Sequence, residues 1–154
     1  MQYHIQLIPP LNESNQGDNS RGSSTSDRMR AIEFYSGIGG LHLALKRSGK
    51  GSVIGAFDWD QTACNVYEAF HGEGIVERVD ISNLSPQELS ELNAELWLLS
   101  PACQPYTVLN PNAKGMLDPR AQSFLYIINQ LLPAVRPSPS YLLIENVAGF
   151  EVRG

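Results

Sequence analysis

From Ala31 onward, short apolar runs alternate with stretches of helical spacing, the arrangement of parallel strands linked by crossover helices. Ala31 to Tyr35 (AIEFY) predicts a first strand, and Gly40 to Ser48 the helix after it. Ser52 to Phe57 (SVIGAF) predicts a second strand, followed by a helix from about Gln61 to Phe70 and a short third strand from Ile75 to Val79. Ser85-Pro86-Gln87-Glu88 has the form of a helix start, with serine as cap, proline in the first position and glutamate three residues on. Glu95 to Leu99 (ELWLL) then gives a fourth strand, about Arg120 to Leu132 a helix, and Tyr141 to Ile144 (YLLI) a fifth strand. The fold expected is α/β, a doubly wound and mostly parallel sheet. Glu145 to Gly154 supplies no crossover helix for the fifth strand, so the sheet is expected to be the first part of a longer protein, truncated on its C-terminal side.

Residues 11–30 (LNESNQGDNSRGSSTSDRMR) break the pattern. They hold hardly an apolar side chain and bury too little surface to offset the entropy of ordering. A disordered N-terminal tail is therefore expected over residues 1–29, and a folded domain over 30–154. Three acids and three bases cancel within that stretch, so the net charge of −5 belongs to residues 31–154, with 13 acids against 8 bases. Such a lobe gains little from attraction to phosphate. No apolar run reaches the roughly 18 residues that a membrane span needs, and the first residues form neither a basic leader nor a long apolar stretch. Cys64 and Cys103 are too few for a disulfide framework or a cysteine-built zinc site. The expectation is an intracellular protein of the cytoplasm or nucleus, with no metal and no membrane.

In an open parallel sheet, ligands gather at the carboxyl ends of the strands, near the switch in strand order. After the first predicted strand comes Tyr35-Ser36-Gly37-Ile38-Gly39-Gly40, where glycines admit a close ligand and the next helix offers free N–H groups to an anion. The same turn also reads as mere packing of helix on sheet. After the second strand stand Asp58-Trp59-Asp60: an acid there accepts hydrogen bonds from a ribose diol, and a tryptophan covers a purine. Either acid also reads as a helix cap. Asp80-Ile81 repeats the theme after the third strand. The three turns together favour a nucleoside-bearing cofactor.

The fourth turn, Ser100-Pro101-Ala102-Cys103-Gln104-Pro105-Tyr106-Thr107, holds a cysteine stiffly between prolines, where its thiolate would be the strongest nucleophile on the sheet. Cys64, inside TACNVYEAF, reads instead as a small core residue. The loop running on to Pro119 is long enough for a lid or binding segment. After the fifth strand, Glu145-Asn146-Val147 puts a carboxyl at the mouth of the same crevice, as an acid, a partner for a substrate ring, or a cap.

Three segments, FYSGIGGLHLAL, SPACQPYT and ENVAGFE, resemble the first, fourth and sixth conserved blocks of the cytosine-C5 methyltransferases, in that order, over about Arg30 to Val152. DPRAQSFLYII together with ENVAGFE is most similar to the branch that methylates transfer RNA. The resemblance implies S-adenosyl-L-methionine as cofactor in a Rossmann-like fold. Ile38, Gly39 and Gly40 would hold its methionine end, Asp58 the ribose, Asp80 with Ile81 the adenine, and Trp59 would stack. Ser100 and Pro101 would line the methyl-donor side. Cys103 would be the nucleophile that attacks carbon 6 of the cytosine, and Glu145 the acid that recognises the ring at nitrogen 3.

Ala102 stands where the family has proline. The arginine-bearing block, the target-recognition region and the closing block of the family are absent. The resemblance thus implies nucleic acid as partner, transfer RNA ahead of DNA, with a completing segment or partner chain. Lys114, Arg120 and Arg136 are the bases left to touch phosphate, and each also reads as solvated surface. Two other readings stand beside an RNA methyltransferase: a DNA cytosine-C5 methyltransferase, and an inactive truncated module that binds the cofactor.

Overall fold

The sequence MRAIEF forms a strand in which successive side chains point to opposite faces of the sheet, and this alternation divides the core in two. In the computed structural model, which describes residues 3–8 by their backbone together with residues 28–107 and 114–150, six strands form one sheet. They are β1 (Tyr3–Ile8), β2 (Met29–Phe34), β3 (Gly51–Asp58), β4 (Val76–Arg78), β5 (Leu96–Leu99) and β6 (Tyr141–Val147), in the order β1-β6-β5-β2-β3-β4. All pairs are parallel except β1 with β6.

Ala31, Leu96 and Leu98 pack on one face with Leu45 of α1 (Gly40–Ser48) and Tyr67 of α2 (Gln61–His71). Ile32, Phe34, Trp97 and Leu99 pack on the other with Leu89 of α3 (Pro86–Leu92) and with Ile127 and Leu131. Both faces are covered, as a parallel sheet requires, and full burial of a side chain such as Phe34 contributes about 1.5–3 kcal/mol.

The predicted helix starts are present. Asp60 caps α2 by accepting from Ala63 N at 2.8 Å, and Ser85 with Glu88 forms a reciprocal capping box on α3.

Two expectations need correction. The tail expected over residues 1–29 is ordered in part: Tyr3–Ile8 pairs antiparallel with β6, and Met29 already belongs to β2. The open edge of β6 presents a row of unpaired N–H and C=O groups, which this six-residue strand satisfies. That pairing also accompanies β6 as far as Val147, three residues beyond the expected end. The rest of the expected tail, residues 1–2 and 9–27, lies outside the described residues.

The second correction concerns the single helix expected over 120–132. It is a tight 3-10 turn (Pro119–Ala121), α4 (Gln122–Tyr126), a π-helical turn (Ile127–Leu131) and α5 (Leu132–Ala134). Pro133 has no N–H to continue regular spacing, and Leu132 N donates to Ile127 O five residues back.

The strand order reverses at β2, whose neighbours are β3 on one side and β5 on the other, so the crevice of the sheet opens there. Register does the rest. Phe34 lies opposite both Phe57 and Leu99, Leu99 opposite Ile144, and Asp58 opposite Arg78. The residues that follow these positions therefore lie side by side at one end of the sheet.

Candidate active site

After Phe34 the chain turns through Tyr35, Gly37 and Gly39, all at positive φ (56°, 50° and 85°), before α1 begins. Asp58, at the end of β3, ties this turn to its own strand: Oδ2 accepts from Gly37 N at 2.7 Å and Oδ1 from Asp60 N at 2.9 Å. Asp58 is buried, yet each oxygen keeps a second lone pair for a ligand.

Beside it opens a cavity of about 430 Å3 lined by Tyr35, Asp58, Trp59, Arg78, Val79, Asp80, Ile81 and Ser123. Trp59 stands 72% exposed at this cavity, a free apolar ring available to a flat ligand. Asp80 caps its own turn by accepting from Ser82 N at 2.9 Å, and Ile81 beside it is buried.

Four of the residues expected to hold a cofactor (Asp58, Trp59, Asp80 and Ile81) therefore line one cavity. Ile38, Gly39 and Gly40 form the adjoining turn, with Ile38 exposed and Gly39 buried. Ser100 lies elsewhere, in the cavity that holds the cysteine.

Tyr35, Arg78, Val79 and Ser123 complete the lining of this cavity. Tyr35 was legible as the first residue after a strand, at the head of the glycine turn. Its hydroxyl donates to Ser123 Oγ at 3.0 Å, and burial pushes it up to about 12. Ser123, 88 residues away in the chain, carries no such signal. Arg78 Nε donates to Trp59 O at 3.3 Å and steadies the turn that presents the tryptophan.

The second cavity, about 330 Å3, is lined by Ser100, Pro101, Ala102, Cys103, Gln104, Glu145, Asn146 and Val147. Cys103 and Glu145, assigned to neighbouring strand ends from the sequence, thus share one wall. The loop holding Cys103 is fixed from three sides. Cys103 O accepts from both Tyr106 N and Thr107 N at 2.9 Å, which makes a tight turn after the thiol. Buried Asn146 donates through Nδ2 to Pro101 O at 3.1 Å, while its Oδ1 accepts from Val147 N at 2.8 Å. Tyr106 packs edge-on against Phe150, with ring centroids 4.8 Å apart.

Asn146 is a second residue whose task the motif alone did not reveal. Its side chain is the bond between the cysteine loop and the end of β6, which carries Glu145. Asp118 holds the Arg120 guanidinium in a fork of 2.9 and 2.7 Å, and Arg120 in turn keeps the Asp118 carboxyl well below the usual range. Cys64 is buried in α2, apart from this chemistry. The centre of the loop after Cys103, residues 108–113, lies outside the described residues. Among the described residues no cluster of His, Cys, Asp and Glu could hold a metal ion, and no helix is long and apolar enough to cross a membrane.

A parallel α/β sheet carries a glycine turn and acids at its strand ends, and a cysteine and a glutamate line one cavity beside them. The family model for C-5 cytosine-specific DNA methylase matches residues 29–152, and the chain belongs to that family. It is 42% identical over 128 residues to a tRNA (cytosine(38)-C(5))-methyltransferase of Schizosaccharomyces pombe, covering 82% of this chain and 38% of that protein. A DNA (cytosine-5)-methyltransferase of Dictyostelium discoideum is 39% identical over 129 residues, covering 83% of this chain and 33% of that one. Among solved structures, the Dnmt2 methyltransferase of S. pombe superposes with a TM-score of 0.67 at 40% identity, over 80% of this chain and 36% of that one. The chain thus spans little more than a third of these relatives.

The methyl donor of this family is S-adenosylmethionine. The residues present fit it: the exposed Trp59 ring, the buried Ile81 and the carboxyls of Asp58 and Asp80 line one cavity beside a glycine turn, the donor set that an adenosine and an amino-acid end would need. Ser36 Oγ, buried in that turn and without a partner among the described residues, leaves a hydroxyl for a polar ligand to satisfy.

Proposed function

We propose that this chain forms the donor-binding and catalytic lobe of an S-adenosylmethionine-dependent methyltransferase acting on carbon 5 of cytosine in RNA, with transfer RNA as the favoured substrate and DNA as the alternative. The observation that carries the reading is the one cavity lined by Cys103, in the loop after β5, and Glu145, on β6, with β5 pairing with the strand that leads into the glycine turn. Transfer RNA is favoured because several relatives are named for that reaction, including the one at 42% identity. The Dictyostelium relative supports the alternative. A thiol nucleophile works in a reducing compartment, and the cytoplasm or nucleus supplies one.

Carbon 5 of cytosine is a poor nucleophile until a group adds at carbon 6. The Cys103 thiolate forms that bond, and the ring gains enamine character at carbon 5. The Glu145 carboxyl, carrying its proton, donates to ring nitrogen 3 and stabilises the electron density that arrives there. S-adenosylmethionine held by the glycine turn would supply an electrophilic methyl group, its sulfonium leaving as a neutral thioether. Once carbon 5 carries it, loss of the carbon-5 proton and cleavage of the bond from sulfur to carbon 6 restore the aromatic ring and free Cys103. Asn146, by holding Pro101 O, keeps the thiol at a fixed distance from Glu145. The base must leave its stack to reach the cavity, and an unpaired loop offers it at least cost.

The test is adduct trapping. RNA and DNA oligonucleotides carrying 5-fluorocytosine, whose carbon-5 fluorine cannot leave as a proton does, are incubated with the protein and S-adenosylmethionine. A denaturation-resistant complex with RNA that disappears in Cys103→Ala is expected. A complex with DNA alone selects the alternative substrate. No complex with either, from protein that binds the cofactor, overturns the proposed catalysis in favour of a cofactor-binding module.

A further inference from the structure

One buried acid has no part in this chemistry. Glu33, on β2, is 1% exposed and lies on the sheet face covered by α1 and α2, directly beneath the glycine turn. Its Oε1 accepts from His42 N at 3.3 Å, and Leu41 N also bonds the carboxylate, so it holds the first turn of α1. Its Oε2 accepts from the Tyr67 hydroxyl at 3.3 Å. Tyr67 and His42 Nδ1 are 2.7 Å apart, and the His42 ring stacks on His71 at 4.1 Å. His71 Nε2 lies 3.2 Å from Ile38 O, to which its N–H donates. A continuous line of contacts thus runs from Glu33 through Tyr67, His42 and His71 back to the turn itself. Gly39 closes the line: its φ is +85°, and a Cβ there would collide with the His71 ring.

We propose that Glu33 is a positioning residue for the methyl donor, whose ionised carboxylate fixes the Ile38–Gly40 turn and the start of α1 in the shape that receives the donor's amino-acid end. The inference rests on the cofactor reading above. Two effects give it the same sign. The ionised carboxylate accepts the N–H groups of Leu41 and His42 more strongly than a neutral acid does. S-adenosylmethionine also carries a net positive charge, from its sulfonium, ammonium and carboxylate together, and a cation bound nearby favours the ionised form.

The relay has two states. With Glu33 ionised, the Tyr67 hydroxyl donates to it and accepts from His42 Nδ1–H. With Glu33 protonated, both bonds reverse and His42 moves its proton to Nε2. The charged or titratable groups around Glu33 are His42 and Lys46 on α1, Tyr67 and His71 on α2, and Asp58 on β3, while β5 offers Leu98. Burial pushes Glu33 up to about 7, against the pull of the His42 N–H, the Tyr67 hydroxyl and the Leu41 N–H. His42 is held down to about 4 by burial, His71 and Lys46, so it stays neutral where Glu33 titrates.

The test is calorimetric binding of S-adenosylmethionine to this protein between pH 6 and 8.5, for the wild type, Glu33→Gln and Tyr67→Phe. Titration of the ligand's own amine is common to all three and cancels in the comparison. Wild-type affinity should rise about fivefold across pH 7, the effect of a shift of roughly 0.7 unit in Glu33 on binding. Glu33→Gln should lack that rise, and Tyr67→Phe should move its midpoint upward. A merely structural role gives no such rise, because the loss of fold stability with rising pH leaves the affinity of protein that stays folded unchanged. Identical pH profiles in the wild type and Glu33→Gln overturn the inference and leave the cofactor reading intact. No binding by the wild type at any pH overturns both.

Discussion

Cys103 sits half-buried in a turn whose carbonyl accepts two N–H groups, so its side chain can be shortened without disturbing the backbone around it. Cys103→Ala should abolish adduct formation and methyl transfer while changing S-adenosylmethionine affinity less than about twofold; retained turnover would remove Cys103 as the nucleophile. Glu33 makes a different kind of prediction. Its carboxyl titrates near 7 in the fold and near 4.5 when unfolded, so the folded state binds the proton more tightly. The stabilisation is complete below about pH 4.5 and is lost as pH rises through 7, a change on the order of 3 kcal/mol. Urea unfolding at pH 5 and pH 8 should show that loss in the wild type, and little of it in Glu33→Gln.

The connecting turns are fixed by a few side chains each, and their removal should be felt one turn at a time. Gly39 combines φ +85° with the His71 ring where a Cβ would stand. Gly39→Ala should therefore destabilise the fold by more than about 1 kcal/mol, read as a lowered Tm, and weaken cofactor binding as well. Asn146→Ala leaves Pro101 O without its donor, at a cost of about 1–3 kcal/mol. The rate of adduct formation should fall while cofactor affinity holds, because Asn146 lines the cysteine cavity and not the donor cavity. Equal losses in both readouts would mean that the two cavities share one support.

Across the whole molecule, charge opposes the proposed substrate. Residues 31–154 carry 13 acids and 8 bases, and the fork of Asp118 engages one of those bases, Arg120. This lobe should bind a transfer-RNA stem-loop no better than the non-specific range of roughly 10−4 to 10−6 M, with a shallow dependence on salt. A steep salt dependence in filter binding, with submicromolar affinity, would place a phosphate-binding surface on this lobe.

The succession of apolar runs and helical stretches alone announced the five parallel strands and most of the helices between them, because a strand buried on both faces leaves a short continuous apolar run whereas an amphipathic helix leaves a 3.6-residue spacing. The glycine turn, Asp58, Trp59, Asp80, Cys103 and Glu145 were legible for the same local reason: each follows directly on an apolar run. What lies far apart in sequence was not. Tyr35 bonding Ser123, Asn146 bonding Pro101, and Glu33 with Tyr67, His42 and His71 are pairings that strand order and register create, and no local pattern encodes them. The strand Tyr3–Ile8 precedes a long polar stretch rather than a crossover helix, and its place depends on the open edge of β6. The chemistry of each turn was written in the chain, and the meeting of those turns was decided by the reversal of strand order at β2, which only the assembled sheet contains.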